Sequence, residues 1–471
     1  MKISKAACFA GVAALATFAA ADDTPVASNV TMTQQTPGRL VTITYQLDNA
    51  PAVVTLDVQT NYTENGATKW ASIGGEAVCN AQGDVWKKVG TAGATFNGTI
   101  KWRPDLSWEG HLIASGGARA VVIAWALDNT PDYMVVDISA GAHPNTQKYY
   151  PAVDFLPGGI LGKPEYRTTK LVMRKIMAKD VEWTMGSTTT ESQRHTEREG
   201  THPASLTNNY YFGVFPVTQS QWGLIATNST QKGYFTTETS MRPMEQVSYN
   251  EIRLKANSNG GANSTEISNY SWPKAPYPSS FLGLLRLKTG IDFDLPSDAQ
   301  WEFAARAGNG VGYWGDGSAI LNTDSDANLD LLGRYKLNGG YVRNGSAYTA
   351  PAANSAPMNG TAIVGSYAPN AWGIYDMCGN VWEWCLDWYQ ADLATAKDAF
   401  GNAYDGRVNI DPSNPANYLS GMSASGADRV VRGGSYDGVA TACRPAYRHY
   451  TTPTRRKDNF GFRVVCTAGL Q

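Results

Sequence analysis

An excess of charge of either sign is missing from this chain: 39 lysines and arginines stand against 41 aspartates and glutamates in 471 residues. A nucleic-acid binder or a protein held on an anionic membrane surface would show a basic excess, so neither class is suggested. Cysteine is scarce, six in all, and no Cys-x-x-Cys pair occurs, which removes the common zinc spacing. The five histidines (His111, His143, His195, His202 and His449) never fall at ligand spacing on one helix. Beyond the first residues, no apolar run approaches the roughly 18 residues of a membrane-spanning helix. What is abundant is glycine (47), tyrosine (24) and tryptophan (14), with only 17% charged residues. That composition suits a loop-rich, mostly β, extracellular fold and argues against disorder.

The start of the chain reads as a secretory signal peptide over residues 1–21. Lys2 and Lys5 precede an apolar stretch at 6–18, and Ala19-Ala20-Ala21 offers a small-residue cleavage site before Asp22-Asp23. The expected location is therefore periplasmic or secreted. Cleavage leaves Cys79, Cys378, Cys385, Cys443 and Cys466, an odd number, so at least one thiol is expected free or paired between molecules.

Residues 25–145 carry short alternating stretches, clearest in Leu40-Val41-Thr42-Ile43-Thr44-Tyr45-Gln46-Leu47, punctuated by Pro37-Gly38 and Asn49-Ala50-Pro51. Strands at about ten-residue spacing predict an all-β, sandwich-like module, with a binding or spacer role. Residues 146–165 read as a linker, and 166–471 as a second domain. Within it, Thr218 caps a short helix. Ser297, with Gln300 three residues on, forms a capping box for a longer one.

The most informative run is Gly379-Asn380-Val381-Trp382-Glu383-Trp384, followed by Arg432-Gly433-Gly434-Ser435-Tyr436. Gly-Asn supplies the positive φ of a tight turn. Each tryptophan N–H needs a partner, and Glu383 between them is costly to bury unless paired or cation-bound.

With Trp183-Thr184-Met185-Gly186-Ser187, Phe215-Pro216-Val217-Thr218-Gln219, Arg242-Pro243-Met244-Glu245, Leu295-Pro296-Ser297-Asp298, Cys443-Arg444-Pro445-Ala446-Tyr447-Arg448 and Asn459-Phe460-Gly461-Phe462-Arg463 in order, the C-terminal two-thirds resembles the formylglycine-generating-enzyme, or sulfatase-modifying-factor, family. The resemblance implies an α+β, C-type-lectin-like fold with little regular structure. It also implies copper held by two thiolates, at the second and seventh residues beyond Tyr436. Those positions are Gly438 and Cys443, so the first ligand is absent and copper is not expected. If catalysis remains, Cys443 and Ser435 are its candidates. Cys443 otherwise reads as a buried or disulfide-bonded residue with Cys385 as candidate partner, although four cysteines allow three full pairings. The resemblance places Trp384, Ser435, Arg444 and Arg448 near a substrate groove and implies Ca²⁺ at Asn380 and Glu383. The competing reading pairs Glu383 with Arg432 or Arg448.

Three functions stand after these residues. One is a secreted binding protein with an unknown protein, peptide or glycan ligand. Another is an oxidoreductase making formylglycine with altered metal ligation. The third is a retroelement-diversified lectin-like receptor, whose variable patch would lie in Tyr447-Arg448-His449-Tyr450-Thr451-Thr452-Pro453-Thr454.

Overall fold

The computed structural model describes residues 24–469, apart from 114–115, 192, 258–259, 271–273, 390 and 392–427. The expected signal peptide at 1–21 lies outside the described residues.

Alternation builds the N-terminal part. In the strand Val41–Asp48, Val41, Ile43, Tyr45 and Leu47 are buried while their neighbours are not, as a period of two requires. This strand lies between Val26–Gln34 and Phe96–Trp102, with Gln82–Gly83 completing the sheet. A second sheet is built on the long strand Ala52–Glu64, which pairs with Ala67–Ser72, Lys87–Val89 and Ala118–Trp125. Residues from both sheets, among them Val41, Ile43, Val54, Leu56, Ile100 and Trp102, share one core. The outer half of the long strand leaves that core as an exposed hairpin. Asn65 and Gly66 turn it at φ 51° and 78°, the left-handed pair that a two-residue hairpin loop demands.

The division drawn between residues 145 and 166 does not coincide with a break in the sheets. Tyr133–Asp137 pairs with both Lys148–Tyr150 and Lys170–Ile176, and the sheet continues through Tyr210–Gly213 to Val465–Thr467. The two faces of this sheet serve different cores. Tyr133, Val135, Tyr150 and Val172 pack with the N-terminal core. Met134, Val136, Tyr149, Leu171 and Met173 pack with a C-terminal core that includes Trp222, Phe281 and Trp384. Alternation is blurred in Met134-Val135-Val136 because both faces are buried, so periodicity could not mark the strand as a shared wall.

Beyond this wall a four-stranded sheet runs in the order Arg448–Thr451, Arg429–Arg432, Trp382–Trp388, Phe460–Gly461. The short helix Gln219–Ile225 is capped by Thr218 and the helix Asp298–Arg306 by Ser297, each through a capping box. No helix among the described residues is long and apolar enough to cross a membrane.

Candidate functional site

The turn into the strand Trp382–Trp388 is set by Gly379 and Asn380, at φ 88° and 65°. A Cβ at Gly379 would stand 2.1 Å from the Arg334 carbonyl oxygen, so no side chain fits there. Asn380 is buried. Its Oδ1 accepts from Ala362 N–H at 3.0 Å and its Nδ2 donates to Asp376 Oδ1 at 3.3 Å.

Glu383 is held by hydrogen bonds on both oxygens. Trp301 Nε1 and Arg463 Nε donate to Oε2, each at 2.7 Å, and Arg463 Nη2 donates to Oε1 at 2.6 Å. Arg463 is itself fully buried, with further bonds to the carbonyls of Gly213 and Tyr375. A guanidinium thus occupies the place expected for a cation. The residues at Asn380 and Glu383 fit Ca²⁺ poorly, because the carboxylate is already paired with a guanidinium through both oxygens. Neither expected arginine is the partner. Arg432 pairs with Asp298 at 2.7 Å and with Glu302, and Arg448 pairs with Asp298 at 2.8 Å.

Those acids come from the helix Asp298–Arg306. The Ser297 cap starts it so that Asp298, Glu302 and Arg306, four residues apart, share one face. Arg306 closes the chain of charges with Glu302 at 2.7 Å. Burial alone would raise the Glu302 carboxyl, but Arg306 and Arg432 outweigh it and hold it below the usual range.

The four expected groove residues lie beneath the surface. Trp384, Ser435 and Arg444 are 0% exposed and Arg448 is 2%. Trp384 Nε1 donates to the Val247 carbonyl at 2.9 Å and Ser435 Oγ to Asp437 Oδ1 at 2.6 Å. Arg444 pairs with Glu191 and Glu199, both at 2.8 Å. They knit the frame together.

Gly438 carries no thiol, and Cys443 is 0% exposed with Sγ directed at the Val439 carbonyl, 3.7 Å away. Burial pushes its thiol up to about 12, the opposite of what a thiolate ligand needs. The Gly433-Gly434 turn, at φ 94° and 74°, passes directly over it; a Cβ on Gly434 would come within 2.5 Å of Cys443 Sγ. Cys443 is thus packed against this turn. The expected disulfide with Cys385 is not formed: Cys79, Cys378, Cys385, Cys443 and Cys466 are all free thiols. No group of three or more His, Cys, Asp or Glu among the described residues could hold a metal ion.

A second buried carboxyl lies near the Tyr436 turn. Glu245 accepts from the backbone N–H groups of Tyr234 at 2.5 Å and Phe235 at 3.1 Å. Burial dominates and pushes it up to about 8.

Half-buried rings gather instead at the outer edge of the sheet, on Arg448–Thr451. Tyr447, His449 and Tyr450 are half-buried there, beside Trp382 and Tyr389. Trp382 lies 5.2 Å from the His449 ring and 5.9 Å from that of Tyr447. The stretch 447–454, expected as a variable patch, supplies three of these rings, and only the fold brings Trp382 and Tyr389 against them.

Residues 167–468 match the family described as "Sulfatase-modifying factor enzyme 1-like domain", and the chain belongs to that family. Among curated relatives, the formylglycine-generating enzyme of Streptomyces coelicolor is 35% identical over 181 residues, 37% of this chain and 47% of that protein. The mouse (Mus musculus) formylglycine-generating enzyme is 30% identical over 178 residues, 36% of this chain and 38% of that protein. The chain thus spans less than half the length of these relatives. Among solved structures, Treponema denticola variable protein 1 aligns with a TM-score of 0.41 at 23% identity, covering 64% of this chain and 96% of that one. PvdO from Pseudomonas aeruginosa aligns with a TM-score of 0.41 at 20% identity, covering 63% and 94%.

Proposed function

We propose that this chain is an exported, ligand-binding member of the family that does not carry out copper-dependent oxidation, with an α+β, C-type-lectin-like arrangement over its family domain. One observation carries the reading. Where the family resemblance calls for two thiolates, the chain has Gly438 and a buried Cys443 whose thiol is pushed up to about 12. Cu(I) bound through sulfur needs a pair of deprotonated, accessible soft ligands, and one buried, protonated thiol is not such a pair. The test is purified protein loaded with copper under reducing conditions, incubated with a Cys-x-Pro-x-Arg peptide and read by mass spectrometry. The expected result is unmodified peptide. Copper-dependent turnover that disappears in a folded Cys443→Ser variant would overturn the reading.

A second reading, a retroelement-diversified receptor, draws on the stretch 447–454, which holds half-buried and exposed side chains on a strand edge. Sequencing the locus across isolates tests it. Substitutions confined to that stretch favour it, and an even spread removes it.

A further inference from the structure

An asparagine followed by glycine can react with its own backbone. The glycine nitrogen attacks the asparagine Cγ, and the missing Cβ leaves that approach open. Such pairs occur in this chain at Asn65, Asn97, Asn259, Asn309, Asn338, Asn344 and Asn359, and all but Asn259 fall among the described residues. The fold restrains four of them. Asn97-Gly98 lies inside the strand Phe96–Trp102, where Gly98 pairs with Tyr45 and a Cβ on it would meet the Tyr45 ring at 2.1 Å. Asn309 Nδ2 donates to the carbonyls of Arg306 and Gly315 at 3.0 and 3.1 Å. The Asn338 amide is tied at both ends, Nδ2 donating to the Gly333 carbonyl and Oδ1 accepting from Tyr335 N–H, each at 2.7 Å. At Asn359 the attacking group is engaged instead: Gly360 N–H donates to the Gly340 carbonyl at 3.0 Å.

The remaining two pairs sit at hairpin tips. Asn65-Gly66 joins Ala52–Glu64 to Ala67–Ser72, and Asn344-Gly345 lies where Val342–Asn344 turns into Ala347–Thr349. All four residues are exposed. Beyond the adjoining residues, nothing stands within 4 Å of the place a Cβ would take on Gly66 or Gly345. Neither asparagine side chain and neither glycine N–H makes a hydrogen bond among the described residues.

We infer that Asn65 and Asn344 are sites of spontaneous deamidation in the folded protein, and that the fold protects Asn97, Asn309, Asn338 and Asn359. In the first step the glycine nitrogen bonds to Cγ and gives its proton to solvent base. The Cγ–Nδ2 bond breaks and ammonia leaves, taking a proton from solvent. Water then opens the cyclic imide at either carbonyl, giving aspartate or isoaspartate. Nothing is oxidised or reduced, and each event adds one negative charge to a ribbon tip.

The experiment incubates the purified protein in mildly alkaline buffer for several days, folded and in denaturant, and follows each peptide by mass spectrometry. In the folded sample, the peptides of Asn65 and Asn344 are expected to gain about 1 Da and to split into aspartate and isoaspartate forms. Their conversion should run at least roughly tenfold faster than at the four restrained pairs, where one or more hydrogen bonds or a strand pairing must first break. In denaturant that difference should vanish. Asn65→Gln and Asn344→Gln should each silence their own peptide and keep the parent's melting temperature. Silence at either tip in the folded protein, conversion of a restrained pair at a tip's rate, or a difference that survives denaturant would overturn the inference.

Discussion

Arg448 and His449 are neighbours on one strand, yet they belong to different regions of the molecule. Arg448 points into a buried ladder of charge running from Arg448 through Asp298, Arg432 and Glu302 to Arg306. His449 lies at an edge of half-buried rings with Arg198 and Lys457 nearby. The difference teaches what the long motifs of this chain are for. Arg432, Arg444, Arg448 and Arg463 are buried and fixed by carboxylates or carbonyls, and Glu383 by the N–H groups of Trp301 and Arg463, so they specify a frame.

The comparison breaks first if the buried side proves weak. Glu383→Ala leaves Arg463 buried without its acid and is expected to cost about 3–5 kcal/mol, measured by denaturant unfolding. A chelator should leave the melting curve of the parent protein unchanged. A calcium-dependent rise lost in Glu383→Ala would instead restore the cation.

A pH profile sharpens the same side. In the folded chain Glu245 titrates at about 8 against an ordinary 4.5, through burial first, with Asp458 adding to it. The folded state holds this proton while the unfolded state releases it. Its contribution is therefore complete below the unfolded value and is lost as pH rises towards the folded one. Glu245→Gln should flatten the decline of stability between these values by up to about 1.4 kcal/mol per pH unit. An unaltered slope would place Glu245 in contact with solvent.

Smaller still is the cap that aims the acids. Ser297→Ala removes the bond accepted from Gln300 N–H at 3.1 Å and is expected to cost about 1 kcal/mol, seen as a lowered unfolding midpoint. Smallest is the open edge, where Arg198→Gln should change stability by no more than about 0.5 kcal/mol. A larger loss would make Arg198 part of the frame and erase the contrast between the two regions.

Much of the frame was legible before any coordinates. The caps at Thr218 and Ser297 need residues only three positions apart, and Gly379-Asn380 declares its turn through backbone sterics alone. The alternation of Val41, Ile43, Tyr45 and Leu47 points inward because one face of that strand is covered and the other is not. The family itself followed from short motifs in order, and the match over residues 167–468 agrees. The boundary near 145 could not be read, because Tyr133–Asp137 is buried on both faces and has no alternation to show.

By itself the sequence determined the local turns, the helix starts, the inward faces of the regular strands and the missing thiol at Gly438. Only the tertiary structure decided partnership. Arg463 reaches Glu383 across 80 residues and Arg444 reaches Glu199 across 245, and nothing local distinguishes either arginine from Arg432. Burial assigned them: a carboxylate withdrawn from water takes whichever guanidinium the packing brings within hydrogen-bond reach. The same packing turned Arg448 inward and left His449 at the surface, one residue apart.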